Sequence, residues 1–220
     1  HPASARKMDV HILFDSELKD GVLSVLPTLV YGDPPSARID GEQLAYLGQG
    51  DLPLRDAGAE QRMRSRLHHE LEMRPGARRD FQGEQALDFA ARVRGFSGAQ
   101  QRGDGLKRAR VAGPLIPNMS LEGQHMSFEF RESGVGDDAP QQASAEAVVA
   151  AWQMGSGVVL LDDGGYAKLP TTWLARHGHL LSDLLAAREA NDGAVARSAL
   201  PDLARMCQAL DYPMPPELQR

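Results

Sequence analysis

Three kinds of residue in this 220-residue chain could do chemistry: paired carboxylates, neighbouring histidines and clustered arginines. Asp162-Asp163-Gly164-Gly165 offers two carboxylates that could hold a metal ion or share a proton. Adjacent residues of a strand point to opposite faces, and no further acid follows at calcium-loop spacing. A tight turn is therefore the better reading. His68-His69 and His177-Gly178-His179 are zinc-ligand types. On a helix, however, neither spacing puts two rings on one face, and the lone Cys207 brings no thiolate set. Surface or half-buried histidines are expected, with no metal. Cys207 lies in an apolar helical pattern and reads as a buried structural thiol.

Other chemistries lack their signatures. There is no phosphate-cradling G-x-x-x-x-G-K-[ST] loop, and Gly103-Asp104-Gly105 lacks both a third glycine and a following helix signal. No G-x-S-x-G elbow presents a serine nucleophile. The expectation is a non-enzymatic chain with no catalytic residue and no cofactor.

The arginine clusters are the best case for a ligand. Arg62, Arg64 and Arg66, then Arg74, Arg78 and Arg79, then Arg102, Lys107, Arg108 and Arg110 concentrate positive charge. A nucleic-acid backbone needs several such charges converging on one surface. From these clusters Arg62, Arg66, Arg78, Arg79, Lys107, Arg108 and Arg110 are taken as candidate DNA-backbone contacts. The alternative is solvated helix faces and loop charges, because acids and glycines interleave each cluster and few aromatics are near for base stacking.

The elements that must position these residues follow from hydrophobic period and turn chemistry. Residues 8–14 and 22–31 read as strands, with a polar connection ending in Asp20-Gly21, a hairpin signal. Pro27 predicts an edge or a bulge. Short strands are expected over 37–40 and 52–55. Asp56 is a plausible N-cap for a helix over about 57–73, with Met63, Leu67 and Leu71 inward and Pro75-Gly76 stopping it. A second helix over about 83–93 turns Ala86, Leu87, Ala90 and Val93 inward. Residues 97–105 read as a flexible joint.

Beyond it, strands are expected over 106–111 and 126–131, and a polar loop over 134–142. Ser144 caps a helix reaching Met154. The run from Val158 to Pro170 reads as a hairpin around Asp163-Gly164. Thr171 or Thr172 then caps a helix with Trp173, Leu174, His177, Leu180, Leu181 and Leu184 on one stripe. A last helix over about 199–210 is expected with Ser198 as its cap.

Composition bounds the class. Hydrophobic residues at 42% suit a folded chain, and aromatics at 5% leave the core to Leu, Val, Ala and Met. The 22 Gly and 14 Pro predict many turns and irregular connections. No run approaches the ~20 apolar residues of a membrane span, and no signal peptide opens the chain. A single cysteine fits a reducing compartment, so a cytoplasmic protein without membrane contact is expected. Net charge is −6, yet unevenly spread: of 24 Lys+Arg and 30 Asp+Glu, residues 1–110 hold 17 and 16 and residues 111–220 hold 7 and 14. The fold class expected is α+β, with antiparallel sheet pieces and hairpins packed by several helices. Two subdomains are assigned, 1–98 and 106–212, with a linker over 213–220. The ends, His1-Pro2 and a proline-rich run, read as cut points in a longer protein.

The hairpin and the helix after it carry a resemblance. The run Val159-Leu160-Leu161-Asp162-Asp163-Gly164-Gly165-Tyr166-Ala167-Lys168-Leu169-Pro170, followed by Trp173-Leu174, resembles the helicase-associated region of bacterial SWI/SNF-family ATPases. Tyr31-Gly32-Asp33 after a strand, and Leu54-Arg55-Asp56 with Glu60 opening a helix, are similar to earlier landmarks of that family. The landmarks run in order from about residue 10 to 212. The resemblance implies a non-catalytic accessory or regulatory module lying before the motor of a DNA-dependent, helicase-like ATPase. It would dock on that motor in cis and help engage duplex DNA. The family has no assigned catalytic residues here, so none is carried over. The rival expectation is an independent nucleic-acid-binding domain using the arginine clusters; a stand-alone metal hydrolase is a distant third.

Overall fold

The computed structural model describes residues 5–48, 50–133 and 140–216. The fold is α+β, and the chain divides into two compact units, His1–Arg110 and Val111–Arg220. Most of the polar loop expected over 134–142, the last residues of the linker, and His1-Pro2 lie outside the described residues.

The first unit opens with a short strand, β1 (Ala5–Arg6), and a long hairpin of β2 (Val10–Lys19) and β3 (Val22–Tyr31). Asp20 and Gly21 take φ of 50° and 76°, the left-handed pair that a two-residue hairpin turn requires. Lys19 then faces Val22 and Val10 faces Tyr31 in unbroken antiparallel register. The supposed polar connection is thus mostly strand, because Ser16 and Leu18 continue the alternation inward. One face carries Val10, Ile12, Phe14, Leu18, Leu23, Val25, Leu29 and Tyr31, all buried. Each such side chain contributes about 1.5–3 kcal/mol by leaving water, and that burial sets the register.

After β4 (Ala37–Asp40), β5 (Gln43–Tyr46) and β6 (Leu52–Pro53) comes helix α1 (Ala57–Leu71). Then follow β7 (Arg79–Gln82), α2 (Gly83–Arg94), β8 (Ala99–Arg102) and a single turn, α3 (Gly105–Arg108). The sheet order is β5-β4-β3-β2-β8, with β7 also pairing β3, while β1 and β6 pair separately. Pro27 makes neither an edge nor a bulge. It lies in a central strand, between the stretch paired to β7 (Val22 to Val25) and that paired to β4 (Val30, Tyr31). Its carbonyl, on that gap side, accepts the Gly76 N–H at 2.7 Å, so no ladder bond is asked of its missing N–H.

Three further expectations need correction here. Residues 97–105 are no joint: Ala99–Arg102 is a strand parallel to β2. The glycines after it are there for close approach, since a Cβ on Gly103 would lie 2.1 Å from the Ser16 carbonyl oxygen and one on Gly105 2.6 Å from the Glu17 nitrogen. Over 106–111, where a strand is expected, the chain instead completes α3 and runs irregularly, with only Val111 in a strand. Its Leu106 N–H is held by the buried Ser16 hydroxyl at 3.0 Å. The division of the chain consequently falls after Arg110 and not at 98–106.

The second unit begins with β9 (Val111–Ala112), β10 (Leu115–Glu122) and β11 (His125–Glu132). It continues through β12 (Gln142–Ser144), α4 (Ala145–Gln153), β13 (Val158–Leu160), β14 (Tyr166–Lys168), α5 (Thr171–Glu189) and α6 (Leu200–Ala209). Two three-stranded sheets, β10-β11-β12 and β13-β14-β9, share one core with the helices. Met126, Phe128 and Phe130 alternate into that core beside Val148, Leu174, Leu181, Leu203 and Cys207. Ser144 caps α4 by accepting the Ala147 N–H at 3.1 Å. The other two expected caps are not made. Pro170 precedes α5, which starts on Thr171, and Ser198 lies in a short 3-10 turn, Arg197–Ala199, that feeds α6. Helix α5 crosses α4 at Gly178, where a Cβ would meet the Trp152 ring at 2.6 Å.

Candidate functional site

All seven predicted DNA-contact residues belong to the first unit, but the fold already uses four of them. Arg66 bonds Glu70 at 2.9 Å and the Ser97 carbonyl at 3.1 Å, and lies 4.6 Å over the Phe96 ring. Arg79 bonds the Glu72 carbonyl at 2.9 Å over Phe81. Arg78 reaches the Ser24 hydroxyl at 3.1 Å, and Arg108 the Leu18 carbonyl at 3.2 Å. Arg78 and Arg108 thereby flank the two strands of the β2–β3 hairpin, whereas Arg62 and Arg66 sit apart on α1. Arg62, Lys107 and Arg110 are exposed, and among the described residues their side chains make no hydrogen bond or ion pair.

A second basic group was missed by clustering alone. Gln61, Arg64, Ser65, His68 and His69 fall at i, i+3, i+4, i+7 and i+8 of α1 and line one groove. Contrary to the expectation that adjacent rings part, His68 and His69 share it, their rings in contact. Beyond the helix, Glu72 adopts φ 55°, the left-handed cap that turns the chain back. Met73 is then bonded to the Leu67 carbonyl and buried, which stands Arg74-Pro75 beside these residues. Together they line an open groove of about 450 Å³. The spacing of these residues is legible in the sequence, where the helical period also sets Arg62, Arg66 and Glu70 on a neighbouring face.

What holds α1 in place is a polar network centred on the buried Tyr31 and Glu60. The Tyr31 hydroxyl donates to Glu60 Oε1 at 2.7 Å and accepts the Asp56 N–H at 2.8 Å. Arg55 forks onto both Glu60 oxygens at 3.0 and 3.1 Å and also bonds the Glu42 carbonyl. Asp56 caps the helix by accepting the Ala59 N–H at 2.9 Å. Burial alone pushes the Glu60 carboxyl up, but bonds from Arg55 and Tyr31 with the nearby positive charge outweigh it, leaving it below its ordinary value. Burial, helped by the Glu60 charge, pushes the Tyr31 hydroxyl up to about 12. Neither group is poised to exchange a proton near neutrality, so the network fastens a helix and does not suit acid–base chemistry.

The remaining candidates are also accounted for by local packing. Asp163 accepts the Gly165 N–H at 2.8 Å inside the hairpin turn, as a turn residue does. The His177 ring packs on Trp173 and the His179 ring on Trp152, on different sides of α5. Cys207 is buried, which pushes its thiol up. Among the described residues no group of three or more His, Cys, Asp or Glu could hold a metal ion, and no helix is long and apolar enough to cross a membrane. Comparison with known protein families, with curated proteins and with solved structures finds no match.

Proposed function

We propose that the chain is a non-catalytic accessory module of a bacterial SWI/SNF-type, DNA-dependent ATPase, docking in cis on the motor and helping it engage duplex DNA in the cytoplasm. One observation carries the reading. Tyr31, Arg55, Asp56 and Glu60, four of the landmarks on which the resemblance rests in the first half, meet in a single hydrogen-bonded network, buried at Tyr31 and Glu60, at the start of α1. Residues that serve one structural joint are what a shared fold would retain. The Asp163 turn, the landmark of the second half, is likewise a self-contained structural device.

The test is DNA-stimulated ATP hydrolysis by the full-length protein with and without residues 1–220. A changed rate or a changed DNA requirement supports the module's role; identical rates and DNA affinity count against it. The exposed, unengaged Arg62, Lys107 and Arg110 favour a second reading, an independent nucleic-acid-binding domain. That reading predicts tight DNA binding by the chain alone and no effect of its removal on the motor.

A further inference from the structure

We infer that the groove on the outer face of α1 seats phosphates of a duplex DNA backbone, an inference that rests on the proposed engagement of DNA. Its lining brings together the guanidinium groups of Arg64 and Arg74, the imidazoles of His68 and His69, the Ser65 hydroxyl and the Gln61 amide. No carboxylate lines it. The other grooves differ: that beside Gly32 mixes Arg6 and Lys7 with Asp9, Asp33 and Asp51, and that between α4 and α5 sets Arg188 against Glu146 and Glu189. A surface made only of donors and neutral groups suits an anion, and a guanidinium suits the oxygens of a phosphate best.

The donors are also available. Arg64 gives one N–H to the Gly41 carbonyl at 3.3 Å, out of the five that a guanidinium carries. Among the described residues, the side chains of Arg74, His68 and His69 make no hydrogen bond or ion pair; the two imidazole rings contact each other at 5.5 Å between centroids. The carbonyl end of a helix disfavours an anion, so attraction must come from these side chains and not from the helix dipole. No Phe, Tyr or Trp lines the groove, which leaves bases nothing broad to stack on and selects the backbone. Binding of this kind is indifferent to sequence and steep in salt.

The experiment titrates the 220-residue chain into a fluorescein-labelled DNA duplex, followed by anisotropy, at several salt concentrations. Arg64→Gln with Arg74→Gln is expected to weaken binding about fivefold or more and to flatten the log–log salt slope by about 1 to 2, as losing one or two phosphate contacts should. Arg197→Gln with Arg205→Gln, an equal loss of two charges in the second unit, is expected to change neither by as much as a factor of about two. Arg64→Lys keeps the point charge and is expected to restore most of the slope. If the double variant melts early, Arg74→Gln alone carries the test, since that side chain bonds nothing in the fold. A wild-type salt slope in the groove variants, with the wild-type chain binding DNA, overturns the groove and leaves the accessory role standing. No salt-dependent binding by the wild-type chain also overturns it, while the accessory role is decided separately by the ATPase comparison.

Discussion

Tyr31 and Glu60 each depend on the other for partners that water cannot supply, because both are buried. Tyr31→Phe removes a donor from Glu60 and an acceptor from the Asp56 N–H. Leaving buried polar groups unmatched costs about 1–3 kcal/mol, which urea unfolding would read. The pH dependence has two limbs with opposite signs. Glu60 is held below its ordinary value, so its contribution is full above that value and is lost as pH falls through the depressed one. Tyr31 is raised from 10.0 to about 12, so its contribution is full below pH 10 and is lost as pH climbs to about 12. Tyrosinate absorbance should accordingly show a late step near pH 12, which Tyr31→Phe should abolish. Cys207 belongs to the same scale: a buried thiol pushed up in pKa should resist a colorimetric disulfide reagent until the protein is unfolded.

At the scale of elements, the readings that held were those with a mechanism local to a few residues. Asp20-Gly21 sets a left-handed turn pair, Asp56 and Ser144 present side-chain acceptors, and the apolar stripes of the helices lie mostly on their buried faces, although α2 buries Phe89 and leaves Leu87 half-buried. Those that failed depended on partners far away in sequence. Gly103-Asp104-Gly105 has the composition of a hinge, yet its glycines exist because the Ser16–Glu17 backbone, some 90 residues earlier, passes too close for a Cβ. Pro27 argues for an edge unless it is known that β7 and β4 leave a gap opposite it. The candidate site divided the same way: linear clustering found the seven basic residues, while bonds within the fold engage four of them. Gly105→Ala should therefore destabilise the first unit by about 1–3 kcal/mol, because the obstacle is backbone and cannot rotate aside. Gly178→Ala should cost a comparable amount by driving Trp152 from its place between α4 and α5, visible as a shift in tryptophan fluorescence.

Across the whole molecule, the charge asymmetry follows the division into units. The first unit is nearly balanced, with 17 Lys+Arg against 16 Asp+Glu, and the second is acidic, with 7 against 14. An anionic partner should favour the first unit. Replacing Arg62, Lys107 and Arg110 by Gln is expected to weaken duplex binding roughly uniformly across sequences, whereas arginine replacements in the second unit should leave it unchanged or improve it, by anisotropy at fixed salt.

The parallel pairing of β8 with β2 has a consequence in time. Asp15 and Arg102 are neighbours in the sheet although 87 positions separate them in the chain. On a ribosome the first hairpin can close as soon as it emerges, but its outer edge stays open until Arg102 has been made. At about 5–20 residues per second that interval lasts several seconds. Over it the nascent strand offers a long, apolar, unpaired edge, so the earliest part of the chain to fold is also the part most in need of a chaperone.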